Sequence, residues 1–268
     1  MKEFGIQLWS IRKEFTTPES TRNAFQKIHE YGYTLAQTAG TYDYISPEEF
    51  RKYADEANVR LVSTHYNFPR ICEDVEGTAR YHKILGATEI GIGGFATPDF
   101  ESLKNFIKKF NEMAKIYYNN YGYKLVYHNH SGEFSNQFFE IEGKRKYDYL
   151  MEEFDPETTG FNVDAYWAQV AGIDVRALLE RLSGRVDCLH LKDCEANHEF
   201  HLEDGKILRG PECIEIGRGT MNFPELIKTA EKIGVKYFVV EDEVYSTGVP
   251  LESAKMSADY IKAHLLEK

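Results

Sequence analysis

The chain has 268 residues, of which 42% are hydrophobic and 28% are charged, a composition that is ordinary for a globular enzyme. It carries 43 acidic residues against 32 lysines and arginines, which gives a formal net charge of -11. This balance argues against a nucleic acid or an anionic membrane as the main partner, because both attract basic surfaces.

The sequence shows no sign of targeting or export. The first residues, Met1–Ile6, lack the apolar run and cleavage site of a signal peptide. No stretch approaches the roughly 20 apolar residues that cross a bilayer. The cysteines are scattered without a CxxC pair, as is typical of reduced thiols: Cys72, Cys188, Cys194 and Cys213. We therefore expect a cytoplasmic protein.

Short β-rich runs alternate with longer helical patterns along the whole chain. The eight predicted strands are Phe4–Leu8, Leu35–Thr38, Arg60–His65, Glu89–Gly93, Lys124–His128, Gly160–Val163, Val186–Leu191 and Tyr237–Glu241. Helix starts are marked by the capping box Ser46–Glu49 and by Pro98, Pro224 and Pro250. Alternation of this kind predicts a parallel sheet with helical crossovers.

Eight such units in about 250 residues favour a closed (β/α)8 TIM barrel over an open sheet. We therefore predict one barrel domain over residues 1–268. A doubly wound sheet is the alternative, but no GxGxxG or Walker loop follows the first strand. The long polar segment Glu195–Glu215 is predicted to be an excursion over the barrel mouth between the seventh strand and the seventh helix.

Ionisable residues accumulate where the predicted strands end, which is the face of a barrel that carries the active site. They are His65, His128, His130, Glu133, Asp164, His190, Lys192 and Glu241. Each one alone has an ordinary explanation as a structural histidine, a helix cap or a surface charge. Together they combine the nitrogen and oxygen ligands that suit Mn, Co, Zn or Fe. Carboxylates grouped without a cation would also repel one another, so we predict one divalent metal ion (Mn, Co, Zn, Fe or Mg).

Six phrases of the sequence carry a family resemblance. They are Gly5–Arg12, Tyr127–Phe134, Asn162–Trp167, Leu189–Asp193, Gly217–Gly219 and Val240–Asp242. As an ordered set covering essentially the whole chain, they resemble the xylose-isomerase-like TIM-barrel superfamily. That superfamily includes sugar epimerases, inosose dehydratase, hydroxypyruvate isomerase and endonuclease IV.

The resemblance implies a metal held by residues that end strands five to eight, in the order Glu, Asp, His, Glu. Asp164, His190 and Glu241 match this order, whereas His128 stands where many relatives have Glu. Either His128 is the fourth ligand or Glu133, a turn further on, supplies the missing oxygen. We favour His128.

Such a site implies enolisation, in which the metal stabilises an enediolate and a base removes the proton beside the carbonyl. Glu241 is the simplest candidate for the base, although it can equally be a ligand with no proton role. Lys192 is a candidate to stabilise oxyanion charge or to form a structural ion pair with Asp193. His65 and His130 are candidates to hydrogen-bond substrate hydroxyls or to transfer protons, and the acid for a leaving hydroxyl is sought among His128, His130 and Glu133. The predicted substrate-binding residues are Gln7, Trp9, His65, Trp167 and Arg218.

We therefore predict a metal-dependent isomerase or epimerase that acts on a small sugar or keto-sugar. Because the resembling ketose epimerases use two carboxylates on opposite faces of the substrate, His128 makes a dehydratase or lyase on an inosose or 3-keto-glycoside the close alternative. A non-catalytic sugar-binding barrel is opposed by the intact Asp164, His190 and Glu241. An endonuclease IV-like repair enzyme is opposed by the acidic charge. The sequence is compatible with a homo-oligomer and does not fix the oligomeric state.

Overall fold

The computed structural model describes residues 1–137, 143–202, 204 and 206–267. Its main sheet consists of eight parallel strands in the order β3-β2-β1-β10-β7-β6-β5-β4. The strands are β1 Gly5–Gln7, β2 Leu35–Ala39, β3 Arg60–His65, β4 Glu89–Ile92, β5 Lys124–His128, β6 Thr159–Asp164, β7 Val186–Leu191 and β10 Tyr237–Val240. All eight predicted strands are present, and the predicted (β/α)8 barrel is confirmed.

The two ends of this sheet, β3 and β4, meet and nearly close the barrel. The Tyr66 backbone N–H donates to the Gly91 carbonyl at 2.7 Å, and the Thr88 N–H donates to the Val62 carbonyl at 3.1 Å. Gly91 is required at this seam because a Cβ there would lie 2.1 Å from the Thr64 carbonyl oxygen.

Helices follow the strands on the outside of the barrel. They are α1 Pro18–Tyr31, α2 Pro47–Glu56, α3 Phe68–Glu73, α4 Val75–Leu85, α5 Phe100–Tyr121, α6 Lys146–Glu153, α7 Ala165–Val170, α8 Val175–Arg181, α9 Phe223–Ile233 and α10 Pro250–His264. The predicted starts hold, since Ser46 caps α2 by accepting the Glu49 N–H and Asp99 caps α5 by accepting the Ser102 N–H. Among the described helices, none is long and apolar enough to span a bilayer.

The polar segment after β7 forms a two-stranded antiparallel hairpin of β8 Asp193–His201 and β9 Ile207–Ile214. Its base is fixed by Asp193, whose carboxylate accepts the backbone N–H groups of Gly217, Gly219 and Met221 at 2.8–3.0 Å. Gly219 has no room for a side chain, because a Cβ would lie 2.3 Å from Asp193 Oδ1. The hairpin is therefore anchored beside the end of β7.

The apolar core lies mainly between the barrel and its helices. Phe106, Phe110, Phe154 and Phe161 illustrate it, because their rings pack together where α5 covers β6. The inside of the barrel is instead polar, and its fully buried side chains include Gln7, Gln37, Ser63 and Asn162. Buried amides and hydroxyls are unfavourable without hydrogen-bond partners, so this layer has to be an ordered network.

Candidate active site at the barrel mouth

Four side chains converge at the carboxyl ends of adjacent strands. His128 ends β5, Asp164 ends β6, His190 lies near the end of β7, and Glu241 directly follows β10. The order β10-β7-β6-β5 makes these strands neighbours, and the register pairs Asp164 with His190. Each residue offers one ligand atom, and these atoms all lie within 4.8 Å of one another. We call these four residues the mouth cluster.

The mouth cluster contains polar atoms that lack partners. His128 Nε2 lies 3.6 Å from Asp164 Oδ2 and 3.7 Å from Glu241 Oε2, beyond hydrogen-bond distance. Both His128 nitrogens and Asp164 Oδ2 are buried without a hydrogen-bond partner in the described part of the chain. Buried polar atoms of this kind need a partner, and two imidazoles with two carboxylates form a suitable ligand set for a divalent cation. The residues present therefore fit a metal ion.

The charges around the mouth cluster leave three of its ligands in metal-binding form, whereas the carboxylates overcome the effect of burial and raise the pKa of His190, which has to lose a proton to bind a metal. Burial alone would raise the pKa values of Asp164 and Glu241, but the nearby Lys192 ammonium and the histidines hold both pKa values below the usual range. Burial lowers the pKa of His128, so its imidazole is neutral and has a free lone pair. Carboxylates and neutral imidazole are the forms that bind metals.

Lys192 provides a buried positive charge next to the carboxylates of the site. Its Nζ is 2.7 Å from Glu243 Oε1, 3.9 Å from Glu241 Oε2 and 4.0 Å from Asp164 Oδ2. Burial by itself would lower the pKa of Lys192, but these carboxylates raise it above its ordinary value. Lys192 is therefore placed to balance charge and cannot serve as a base at neutral pH.

Glu133, the alternative ligand on the strand-five side, points away from the mouth cluster. Its Oε1 accepts the Tyr127 hydroxyl at 2.8 Å and its Oε2 accepts the His130 backbone N–H at 3.0 Å. Lys146 Nζ lies 3.6 Å from the same carboxylate. The structure thus groups His128 with the other three candidate ligands and leaves Glu133 in a separate ion pair.

A cavity of about 790 Å³ opens above the mouth cluster. Its lining includes Trp9, His65, Tyr66, Phe68, Phe95, His128, His130, Trp167, Glu241 and Glu243. Among the described residues that line it there is no lysine or arginine. A cavity of this size with aromatic walls and a polar floor suits a small organic ligand.

The predicted substrate-binding residues divide into two groups. Trp9, His65 and Trp167 line the cavity, and Trp9 is 45% exposed at its rim. Gln7 and Arg218 are outside the lining. Gln7 is fully buried and donates to Gln37, whereas Arg218 donates to Ser246 Oγ at 2.8 Å.

Sequence reasoning did not select three residues that the structure brings to the site. Glu243 lines the cavity two positions after Glu241, and Asn162 lies two positions before Asp164 on the same strand. Spacing of two puts side chains on the same face of a strand, so Asn162 could have been found from the sequence. Gln37 contacts His190, but β2 contains no other predicted site residue two positions away, so the same rule could not have found Gln37.

The geometry defines a (β/α)8 barrel with a histidine–carboxylate cluster at the mouth where barrel enzymes carry their active sites. The family described as xylose isomerase-like TIM barrel matches residues 25–264. The chain belongs to this family.

Two curated relatives are named inosose dehydratase. The protein from Lactiplantibacillus plantarum is 29% identical over 181 residues, covering 65% of this chain and 57% of that protein. The protein from Mesomycoplasma hyopneumoniae is 28% identical over 180 residues, covering 63% of this chain and 56% of that protein. The match therefore spans little more than half the length of these relatives.

Solved structures share the whole fold at lower identity. A sugar phosphate isomerase/epimerase from Parabacteroides distasonis has a TM-score of 0.82 at 24% identity, covering 100% of this chain and 96% of that one. A probable 3-DHS dehydratase from Bacillus anthracis has a TM-score of 0.71 at 13% identity, covering 97% and 98%. At these identities the likeness establishes the fold.

Proposed function

We propose that this protein is a divalent-metal-dependent enzyme that removes the proton beside the carbonyl of a small uncharged keto-sugar or keto-polyol and then eliminates water. The observation that carries the proposal is the mouth cluster, whose buried His128 nitrogens and Asp164 Oδ2 find no hydrogen-bond partner among the described residues. A cation held by His128, Asp164, His190 and Glu241 would satisfy these atoms. When bound, it supplies Lewis-acid stabilisation of the charge that develops on the substrate's carbonyl oxygen.

Two further residues that line the cavity are available for proton transfer. Glu243 faces the cavity from the β10 side, and His130 faces it from the β5 side. We assign Glu243 to accept the carbon-bound proton, since the low pKa of Glu241 suits a ligand better than a base. His130 donates the proton with which the neighbouring hydroxyl leaves as water, and a carbon–carbon double bond forms.

The position of Glu133 favours elimination over epimerisation. Epimerisation by two carboxylates needs one on each face of the substrate, whereas β5 contributes His128 to the mouth cluster and the nearby Glu133 carboxylate is held by Tyr127 and His130. The imidazole of His130 on the β5 side is a suitable acid for a leaving hydroxyl. The names of the curated relatives agree with this choice.

An isomerase or epimerase is the second candidate. It shares the first proton-removal step, and the structural similarity to a sugar phosphate isomerase/epimerase supports it at the level of the fold. The two candidates differ only in whether the second proton returns to carbon or leaves with oxygen.

The substrate is proposed to be uncharged because no described lysine or arginine lines the cavity. Phosphate groups are normally bound by arginine, lysine or a helix N-terminus. Lys192 lies behind the mouth cluster against Glu243, and Arg218 lies 3.7 Å from Glu215. The described lining therefore offers a phosphate ester no cationic side chain.

The test follows the proton at the carbon beside the carbonyl. Protein loaded with Mn²⁺ is incubated in D2O with an inosose, and the quenched, metal-stripped mixture is analysed by NMR and mass spectrometry. We expect loss of water, absent in the metal-free protein and in Asp164→Asn. Asp187→Asn removes a buried carboxylate near the opposite end of β7 and serves as the matched control that keeps activity.

The outcomes separate the candidates. Deuterium incorporation without loss of water, or a new isomer, would favour the isomerase or epimerase. No exchange with Mn²⁺, Co²⁺, Zn²⁺ or Fe²⁺ on inososes and ketoses would refute the metal-assisted mechanism. Fructose and fructose 6-phosphate form a matched pair for charge, and tighter binding of the phosphate would overturn the uncharged substrate class.

A further inference from the structure

We propose that Gln37 is a positioning residue that holds His190 by its Nε2–H and so directs Nδ1 toward the mouth cluster as the nitrogen that would bind the metal. This inference rests on the proposed metal site. Gln37 is fully buried in β2, across the barrel from His190, and its Oε1 lies 2.6 Å from His190 Nε2. Without a metal ion, His190 Nδ1 donates to Glu241 Oε2 at 2.9 Å and lies 3.8 Å from Asp164 Oδ2, so it is the nitrogen that faces the mouth cluster.

The direction of the hydrogen bonds is fixed by a backbone group. The Trp9 N–H can only donate, and it donates to Gln7 Oε1 at 3.2 Å. Gln7 therefore points its amide nitrogen at Gln37 Oε1, at 2.7 Å. Gln37 Nε2 in turn donates to Ser63 Oγ at 3.0 Å. Because Gln37 Oε1 can only accept, the proton shared with His190 belongs to His190 Nε2.

Asn162 is the competing neighbour of the same nitrogen. Its Nδ2 lies 3.0 Å from His190 Nε2 and 3.2 Å from His65 Nε2, while its Oδ1 has no hydrogen-bond partner within the described ranges. Turning this amide over would let Oδ1 accept from both histidines and would give up only the 3.5 Å contact from Asn162 Nδ2 to Gln37 Oε1. If Asn162 donated to His190 Nε2, that nitrogen would need a lone pair. Two acceptors, Nε2 and Gln37 Oε1, would then face each other at 2.6 Å, which is unfavourable.

The backbone also directs both amides inward. The pairing of β2 with β3 shifts register between Ala36 and Gln37, which sets Gln37 opposite Ser63. The pairing of β6 with β7 shifts between Phe161 and Asn162. Register shifts of this kind re-aim side chains and are frequent next to active sites. A second hydrogen bond that fixes the ring and tautomer of a ligand histidine typically changes metal affinity by about 10- to 100-fold.

The test compares metal affinity in matched variants. Gln37→Met keeps the length of the side chain and removes the acceptor, and Gln37→Glu restores an acceptor. We expect Mn²⁺ binding, measured by titration calorimetry, to weaken about 10- to 100-fold in Gln37→Met and to recover in Gln37→Glu. Thr38→Val changes a fully buried neighbour in β2 and is expected to leave the affinity unchanged.

The tautomer provides a second readout that does not depend on activity. Long-range ¹H–¹⁵N spectra of the Zn²⁺-loaded protein, assigned with His190→Gln, are expected to show the His190 proton on Nε2. If Gln37→Met does not fold, Gln7→Met tests the same chain of donors, with an expected weakening of Mn²⁺ binding.

Unchanged affinity in folded Gln37→Met, or a His190 proton on Nδ1 in the Zn²⁺-loaded wild type, would overturn the role of Gln37. Wild-type protein that binds none of these metals would refute the proposed function itself.

Discussion

Asp164 is the residue at which metal binding and folding stability are expected to separate. Its Oδ1 accepts the Trp167 N–H at 2.8 Å and caps α7, while its Oδ2 is buried next to His128 without a hydrogen-bond partner in the described chain. Asp164→Asn keeps the capping oxygen, and Asn caps helices as well as Asp. The variant also loses the attraction of the carboxylate to Lys192 and the two histidines, which relief of repulsion with Glu241 offsets only in part, so the metal-free variant should be less stable than the wild type by up to about 3 kcal/mol.

The stabilisation by bound metal should differ clearly between the wild type and Asp164→Asn. A ligand at 100 times its Kd that binds only the folded state stabilises it by about 2.7 kcal/mol. Unfolding entropy near 2.1 cal/mol/K per residue gives about 0.6 kcal/mol/K for 268 residues, so the midpoint should rise by about 5 °C. Asp164→Asn should lose this rise.

Scanning calorimetry with Mn²⁺ and with EDTA measures both quantities on the same protein. Asp187→Asn is the control, because it removes another buried carboxylate outside the mouth cluster and should keep the metal-induced rise. A rise of wild-type size in Asp164→Asn would refute its assignment as a ligand. A large drop in the midpoint of the metal-free variant would show that the carboxylate is mainly structural.

Three further predictions concern other parts of the barrel. Glu133→Ala should lower the free energy of unfolding in urea by about 2 kcal/mol, because the Tyr127 hydroxyl loses a charged acceptor. A large loss of kcat at unchanged stability would instead indicate a catalytic role for Glu133. Burial, with Asp187 adding repulsion, raises the pKa of Glu89 to about 8. The folded protein then holds a proton that the unfolded chain releases near pH 4.3, so the free energy of unfolding should fall by up to about 1.4 kcal/mol per pH unit from pH 5 to 8. Glu89→Gln should remove this slope, and parallel pH profiles of variant and wild type would contradict the prediction. Trp9→Ala should raise KM about tenfold with little change in the unfolding midpoint, and an unchanged KM would place the rim outside the substrate site.

The sequence was a good guide where the information is local. The β-rich runs, their spacing and the caps at Ser46 and Asp99 depend on neighbouring residues, and the strands and helices appeared where predicted. The hairpin of Asp193–His201 and Ile207–Ile214 was predicted only as a polar excursion. In the described part of the chain its two strands pair with each other and with no third strand, so one-sided burial imposed no strong apolar alternation on the sequence.

The sequence by itself determined that His128, Asp164, His190 and Glu241 end parallel strands, and in a barrel those ends must converge. It could not determine which nearby carboxylate turns inward, because the hydrogen bonds that hold Glu133 depend on distances across the folded chain. Only the tertiary structure decided that, and only it brought Gln37 to His190. Strand period assigns a face to each side chain, whereas register shifts and contacts across a barrel arise when distant strands close around one another.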